Sequence, residues 1–176
     1  MRVAGRKAAR DERGAAAVEF GLISIPFFAT IFFLAESGYN FFIQSQLESA
    51  TVIASRQVMI GAAQSSGLSM SDVRSEICSR LFVGSNCTAR LYVDIRSYDA
   101  NVTAHLDPVS VNQLDNKFCL GGPGQYTIVK VAYAAPVVAS IWQTSPVIVN
   151  GVSVRMMRAA TAFRNEPYNG AAGTVC

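Results

Sequence analysis

The sequence predicts an α+β fold in which a long N-terminal helix packs on a small antiparallel sheet. A stretch long enough to span a membrane occupies residues 15–35, and apolar residues then recur every three or four positions to Val58. From Leu91 onward the pattern changes to period two, which is typical of half-buried strands. Strands that are close in sequence usually pair as neighbours, so we expect an antiparallel sheet that the helix covers.

The first element is a candidate membrane helix. Residues 15–35 contain one charged residue, Glu19, and a spanning helix needs about 20 mostly apolar residues. A single segment in lipid satisfies its backbone polar groups only as a helix, so we expect this stretch to be helical. Pro26 lies at mid-span and is expected to kink the helix, because proline lacks the N–H that the helix uses.

The positive charge of the chain is confined to its first residues. Five basic and two acidic residues precede Ala15, and the two signs balance after it, so the formal net charge of +3 belongs to this leader. A nucleic-acid-binding domain carries basic residues on its folded part, and that class is therefore disfavoured. The positive-inside rule predicts a cytoplasmic leader at 1–14, a transmembrane helix at 15–36 and an extracytoplasmic domain at 37–176.

Glu19 helps to distinguish among the kinds of N-terminal signal that contain an apolar segment. A charge at bilayer depth costs at least about 2.5–3.5 kcal/mol, although an acid one turn inside the segment can lie near the headgroups at lower cost. A secretory signal peptide has an apolar core of about 7–15 residues and a small-x-small cleavage site, and this run is longer and fits that site poorly. An uncleaved signal anchor fits the length and charge but gives Glu19 no role.

The residues around this acid form a specific block. The sequence RGAAAVEF at 13–20 combines a basic residue, Gly14 and, five positions later, an acid inside an apolar stretch. This arrangement resembles the class III signal of type IV prepilins. More narrowly, residues 13–45 resemble the N-terminal part of TadE-like proteins, the pseudopilins of the tight-adherence (Tad/Flp) pilus system, and the resemblance includes Pro26 and the Glu-Ser-Gly sequence at 36–38.

The resemblance implies a processing event and an assembly contact. A prepilin peptidase would cut between Gly14 and Ala15, where glycine lets the chain extend without a Cβ clash. The new α-amino group of Ala15 is mainly protonated at neutral pH. In related pilins a buried glutamate pairs with this amine, commonly on a neighbouring subunit. Glu19 is therefore the expected register contact, with Phe20 beside it in the recognition motif.

Partners, location and role are also implied by the resemblance. It implies a pilin-like fold and a minor pilin-like protein that acts by assembly with a prepilin peptidase, other Tad pilins and pseudopilins, and the Tad inner-membrane assembly platform. The protein would cross the inner membrane once, sit in or beside the pilus, and support adherence, biofilm formation or secretion. No nucleic acid, metal or other cofactor is implied. The TadE-like and TadF-like roles are not separated, whereas a TadG-like chain is expected to be much longer.

Helical periodicity continues beyond the membrane segment. Residues 37–63 are amphipathic, and the glycines of the stretch at 61–67 are expected to end the helix. Ser69 or Ser71 is then expected to cap a short helix. Its predicted buried face consists of Val73, Ile77, Leu81 and Phe82.

The remaining segments read as strands and loops. Strands are predicted at 90–98, 101–105, 126–135 and 152–163, with a turn at 120–125. In the last strand, the predicted inward residues are Val152, Val154 and Met156. A partly apolar insertion at 137–145 contains Trp142, which either packs on the sheet or touches the membrane surface. The residues from 169 onward are predicted to form a loose tail unless a bond at Cys176 anchors them.

The four cysteines predict two disulfides outside the cytoplasm. None lies in a C-x-x-C and the chain has one histidine, His105, so a structural zinc site is disfavoured. An even number of cysteines in an extracytoplasmic segment fits disulfides, and four cysteines allow three pairings. We favour Cys78–Cys87 and Cys119–Cys176, because the first closes a short loop and the second anchors the tail.

The sequence contains no motif that indicates an enzyme. His105 and Asp107 are close in sequence, but there is no G-x-S-x-G elbow, P-loop or G-x-G-x-x-G motif. Two rival functions stay open: an uncleaved single-pass envelope anchor with a protein-binding periplasmic domain, and an enzyme or ligand-binding domain tethered by the helix. The mass of the mature N-terminus tests the first rival, and a convergent polar pocket would favour the second.

Overall fold

The computed structural model describes residues 12–84, 86–99, 117–137, 147–149 and 151–169. These residues form, in order, α1 (Glu12–Met59), α2 (Ala62–Ser66), α3 (Met70–Arg80), α4 (Cys87–Arg90), β1 (Leu91–Tyr98), β2 (Tyr126–Pro136), β3 (Val147–Val149) and β4 (Val152–Arg164). The predicted α+β class is confirmed. The chain divides into two compact units, the first ending at Tyr39 and the second beginning at Asn40.

Helix α1 is 48 residues long and contains Pro26. In the part of α1 that belongs to the first unit, two hydroxyl groups bond to the helix itself: Ser24 Oγ donates to the carbonyl of Gly21 at 3.0 Å, and Thr30 Oγ1 donates to the carbonyl of Pro26 at 2.8 Å. Such local bonds hide polar groups from an apolar environment. Of the helices in the described residues, α1 is the one long and apolar enough to cross a membrane, and none of its most apolar stretch is buried by the protein.

A glycine ends this helix where the sequence predicted a break. Gly61 has φ +77°, in the left-handed region, and a Cβ at this position would lie 2.5 Å from the ring of Tyr168. Both the backbone angle and the close ring exclude larger residues. The stretch after it is not irregular, however, because residues 62–66 form the short helix α2.

The N-cap of α3 is Ser69, one of the two predicted caps. Ser69 Oγ accepts from the N–H of Asp72 at 3.3 Å, and the Asp72 carboxylate accepts from the N–H of Ser69 at 2.8 Å, which forms a capping box. Val73, Ile77 and Leu81 are buried as predicted, but Phe82 is 77% exposed. The prediction for Phe82 was wrong because α3 ends at Arg80 and the extended backbone at Leu81 turns the next side chain away from the helix face.

The sheet has the strand order β1-β2-β4-β3, and every neighbouring pair is antiparallel. Val131 on the central strand β2 lies opposite Val93 on β1 and Ala159 on β4. These residues share one face of the sheet and form the core with buried residues of α1, namely Ile43, Leu47, Ala50 and Ala54. The predicted strands at 90–98 and 126–135 are thus confirmed, whereas β3 was not predicted.

The inward face of β4 differs from the prediction by one residue. Met157 and Ala159 lie in the core, while Val152 is 49% exposed and Met156 is half-buried on the opposite face. Val154 is buried, but it too belongs to that opposite face. Pairing with β2 sets this register, and a shift of one residue reverses every side chain of a strand.

One disulfide links the two short helices next to the sheet. Cys78, near the end of α3, is bonded to Cys87, the first residue of α4, as predicted. Cys119 is also disulfide-bonded. Its predicted partner Cys176 lies outside the described residues, as do the predicted strand at 101–105, His105, Asp107 and Trp142 with most of its insertion.

A buried asparagine after β4 holds the 120–125 turn. Asn165 Nδ2 donates to the carbonyls of Leu120 and Gly122 at 3.0 Å each, and its Oδ1 accepts from the Thr127 hydroxyl at 3.2 Å. The Tyr168 hydroxyl donates to the carbonyl of Gly121 at 3.0 Å, and partial burial raises the pKa of this phenol. These bonds anchor the segment just before the predicted loose tail. The sequence pattern did not predict this anchoring.

Candidate functional site

The four residues predicted for processing and assembly lie at the start of α1. Gly14, Ala15, Glu19 and Phe20 are all exposed on the helix, and a Cβ at Gly14 would meet nothing within 4 Å. Ala15 and Glu19 are four residues apart, so they lie on the same face about one turn from each other. If the chain began at Ala15, its amine would thus lie about one helical turn from the Glu19 carboxylate.

The Glu19 carboxylate has no hydrogen bond or ion pair within the described residues. Its neighbours in sequence are apolar and exposed, and Phe20 is 72% exposed. An acid placed among lipid-compatible side chains needs an outside partner such as a headgroup, an amine or another subunit. A newly formed helix N-terminus would supply one, because its free N–H groups and its amine both favour a negative charge.

The predicted scissile bond between Gly14 and Ala15 lies within the first turn of the described helix. A helix must unwind locally before a peptidase can bind this bond in an extended form. The cost of unwinding is small at this place, because the first four N–H groups of a helix have no partner within it. Gly14 lowers it further, since glycine is a poor helix former.

Large apolar side chains cover the outside of α1 around this site. The exposed set within the described part of the first unit is Val18, Phe20, Leu22, Ile23, Ile25, Phe27, Phe28, Ile31, Phe32, Phe33, Leu34 and Tyr39. Small residues interrupt it at Ala17, Gly21 and Ser24, which are four and three positions apart and share a face. Exposed apolar surface of this extent marks a membrane or protein contact, and small residues let another helix approach closely.

The second unit contains a cavity beside α3. A cavity of about 370 Å³ lies between the end of α1 and α3, with Asp72 and Glu76 in its wall. Both acids are already engaged on α3: hydrogen bonds from Ser69 lower the pKa of Asp72, and Glu76 bonds to Arg80 at 2.6 Å. Within the described residues, no group of three or more histidine, cysteine or acidic side chains is arranged to hold a metal ion.

Comparison with known families supports the assignment of the N-terminal segment. Residues 14–56 match the family model described as TadE-like protein. Searches of curated proteins and of solved structures returned no significant match. The match confirms the resemblance seen in the sequence and extends it to Arg56.

This match indicates a pilin-like component associated with the Tad pilus and with a membrane. TadE-like pilus components are structural proteins rather than enzymes. In the described part of the chain, one helix is apolar and long enough to span a membrane, and it is accordingly a candidate single-pass membrane anchor.

Proposed function

We propose that this chain is a minor, pilin-like subunit of a Tad-type pilus system that is cleaved after Gly14 by a prepilin peptidase and then acts by assembly. The observation that carries the proposal is the Glu19 carboxylate, which has no partner within the described residues yet lies one turn from Ala15. The family match over residues 14–56 supports the same assignment.

Cleavage would change the electrostatics of the helix end in two ways. It removes the leader, which holds the whole formal net charge of +3. It also creates an ammonium group at Ala15, at the positive end of the helix dipole. Glu19 then neutralises that group, either on its own chain or on the neighbouring subunit. A carboxylate paired in this way is cheaper to bury between helices than one left alone.

The surface of α1 supports assembly within the membrane. The proposed protein crosses the inner membrane once, with its N-terminus in the cytoplasm and its second unit in the periplasm. Its partners are the prepilin peptidase, other Tad pilins and pseudopilins, and the inner-membrane assembly platform. The face with Ala17, Gly21 and Ser24 offers a close approach for a neighbouring helix. In this role the protein supports adherence, biofilm formation or secretion.

Substitution of Glu19 tests this proposal. Glu19→Ala should leave the chain inserted and cleaved but reduce pilus output about tenfold or more, because the amine of a neighbour or of the chain itself loses its partner. Glu48→Ala is the matched control, since Glu48 is an exposed acid on the same helix that accepts a hydrogen bond from Gln44. Normal pilus output from Glu19→Ala would contradict the proposal.

One observation favours a second candidate, an uncleaved single-pass envelope anchor with a periplasmic protein-binding domain. Helix α1 runs without a break through the Gly14–Ala15 bond, so the bond is not presented in an extended form in the free chain. In this alternative the leader stays on the protein. The mass of the mature chain distinguishes the two candidates.

A further inference from the structure

The second unit has two distinct ends, which the directions of α1 and β4 define. Gln44 Nε2 donates to the carbonyl of Arg158 at 2.8 Å, and the N–H of Glu166 donates to the carbonyl of Met59 at 2.8 Å. α1 and β4 therefore run in the same direction. We call the end that contains Asn40 the proximal end, because the chain continues there into the candidate membrane segment. The opposite end, at Met59 and Glu166, is the distal end.

The hairpin of β3 and β4 projects at the proximal end. Val152, the first residue of β4, precedes Arg158 by six residues, which is about 20 Å of strand. Asn40 precedes Gln44 by four residues, which is about 6 Å of helix. The hairpin therefore extends beyond the first residue of the second unit. It exposes 70% of the Ile148 side chain and 49% of Val152.

Helix α3 brings Phe82 to the same end. The cavity between the two helices is lined by Val58, near the end of α1, and by Val73, near the start of α3. After α3 ends, the N–H of Phe82 donates to Gln46 Oε1 at 2.9 Å. α3 therefore runs antiparallel to this part of α1, back towards the proximal end. Phe42 lies one turn before Gln46 on the same face of α1, so both phenylalanines belong to the proximal end.

The backbone at Phe82 is held in place although its ring is exposed. The disulfide between Cys78 and Cys87 closes the loop that contains Phe82, and the preceding residue, Leu81, is buried in the core. The ring of Phe82 is 77% exposed. These anchors hold an apolar side chain outside the core, which indicates a contact with something beyond this chain.

The exposure of apolar side chains differs between the two ends. Within the described part of the second unit, the three most exposed large apolar residues are Phe41, Phe82 and Ile148, and all three are proximal. Ile60 and Tyr126, at the distal end, are 44% and 46% exposed. The proximal residues come from separate elements and share only their level along the unit. This arrangement is expected where one flat surface covers them all.

The surface next to the proximal end is the bilayer itself. Asn40 directly follows Tyr39, the last residue of the first unit, and the first unit contains an apolar stretch long enough to cross a membrane. Apolar side chains that lie against a membrane enter the boundary of headgroups and acyl chains by about 5–10 Å. A lipid surface also accommodates apolar groups from separate elements without a complementary groove.

We propose that the proximal end of the second unit rests on the lipid surface of the membrane that α1 crosses. The contact side chains are Phe41, Phe42, Phe82, Ile148 and Val152. This proposal rests on α1 being a membrane helix, as in the proposed function, but not on cleavage of the leader. The contact fixes the orientation of the second unit above the bilayer, and a subunit that leaves the bilayer for a pilus has to break it.

Tryptophan fluorescence of the full chain in lipid vesicles tests the proposal. The vesicles consist of phosphatidylethanolamine and phosphatidylglycerol, and part of the lipid carries bromine near the top of its acyl chains, where it quenches a tryptophan in contact. Trp142→Phe removes the one native tryptophan, and Phe82→Trp or Ile148→Trp then supplies a single reporter. Each proximal reporter should lose about half of its fluorescence in brominated vesicles. The matched control Tyr126→Trp, at the distal end, should lose almost none.

A charged substitution tests whether the apolar contact maintains this orientation. In the Ile148→Trp reporter, Phe82→Asp should reduce the quenching about twofold, because a charged side chain replaces an apolar contact with lipid. Ile60→Asp, at the distal end, is the control and should leave the quenching unchanged. Urea unfolding checks that each variant is folded.

Leu22→Trp separates failure of this proposal from failure of the proposed function. Leu22 lies within the candidate membrane segment, so its reporter should be quenched if α1 crosses the bilayer. No quenching of Leu22→Trp would overturn the membrane anchor and this proposal with it. Quenching of Leu22→Trp without quenching of Phe82→Trp and Ile148→Trp would overturn this proposal alone.

Two further results would also overturn the proposal. Equal quenching of Phe82→Trp, Ile148→Trp and Tyr126→Trp would show that the proximal end is not the preferred contact. The other result is that the proximal reporters escape the brominated lipid but become shielded from acrylamide as the ratio of protein to lipid rises. That result would make a second copy of this chain the occupant.

Discussion

The two halves of helix α1 differ in what their apolar side chains contact. In the first unit Leu22 is 67% exposed, whereas in the second unit Leu47 is fully buried against the sheet. Both are leucines in the same regular helix, so local structure does not cause the difference. The second unit buries its apolar residues in its own core, while the first leaves a large apolar surface exposed, which marks a membrane or protein contact. The part of the chain that is incomplete by itself is therefore where assembly is expected.

The largest predicted difference between the two units is in the loss of stability when these two leucines are truncated. Leu47→Ala should lower the free energy of unfolding of the second unit by about 2–5 kcal/mol, because it leaves a cavity in a packed core. Leu22→Ala should change that free energy by less than about 0.5 kcal/mol. Urea unfolding of the full chain in detergent, followed by near-UV circular dichroism, measures both. Equal losses from the two variants would show that the two regions do not differ as described.

A smaller effect is expected from a polar contact inside the second unit. Asn165→Ala should destabilise this unit by about 2–3 kcal/mol, because it removes three hydrogen bonds of a buried side chain: those to the carbonyls of Leu120 and Gly122 and the one from the Thr127 hydroxyl. Asn169→Ala, at an exposed position four residues later, is the control and should have almost no effect. The same unfolding experiment measures both variants. If Asn165→Ala is as stable as the control, the asparagine does not hold the turn.

The smallest effect is expected at the exposed cap of α3. Ser69→Ala should cost about 1 kcal/mol, because the first turn of the helix loses its side-chain acceptor. The hydrogen bonds from Ser69 lower the pKa of Asp72. Their contribution to stability is therefore present above the unfolded-state pKa of an aspartate, about 3.9, and is lost as the pH falls through the lower pKa of the folded state.

Stability measured between pH 5 and pH 2.5 tests this linkage. The original chain should lose more stability over this range than Ser69→Ala does, since the variant lacks the side-chain hydrogen bond that contributes most to the lowered pKa. Parallel losses in the two proteins would show that the capping box does not stabilise the ionised carboxylate.

The sequence pattern correctly predicted the elements that have one strong pattern. It was wrong where tertiary contacts determine which face of an element is buried. The run at 15–35, the cap at Ser69 and the alternation in 126–135 each identified an element that the structure contains. The inward face of β4 was wrong because apolar residues occur on both of its faces, and only pairing with β2 sets the register. Strand β3 has three residues, too few for a period to show.

The sequence predicted the residues of the candidate site but not their three-dimensional arrangement. The sequence around Gly14 and Glu19 identified the segment, because its residues are contiguous and their spacing is short. It did not indicate that the predicted scissile bond lies in a helix.

The intact mass of the mature protein tests the central claim most directly. The protein is to be purified from membranes of cells that contain the prepilin peptidase and of cells that lack it. We predict a chain that begins at Ala15 in the first case and retains residues 1–14 in the second. A chain that still begins with its leader in cells that contain the peptidase would contradict the account and favour the uncleaved anchor.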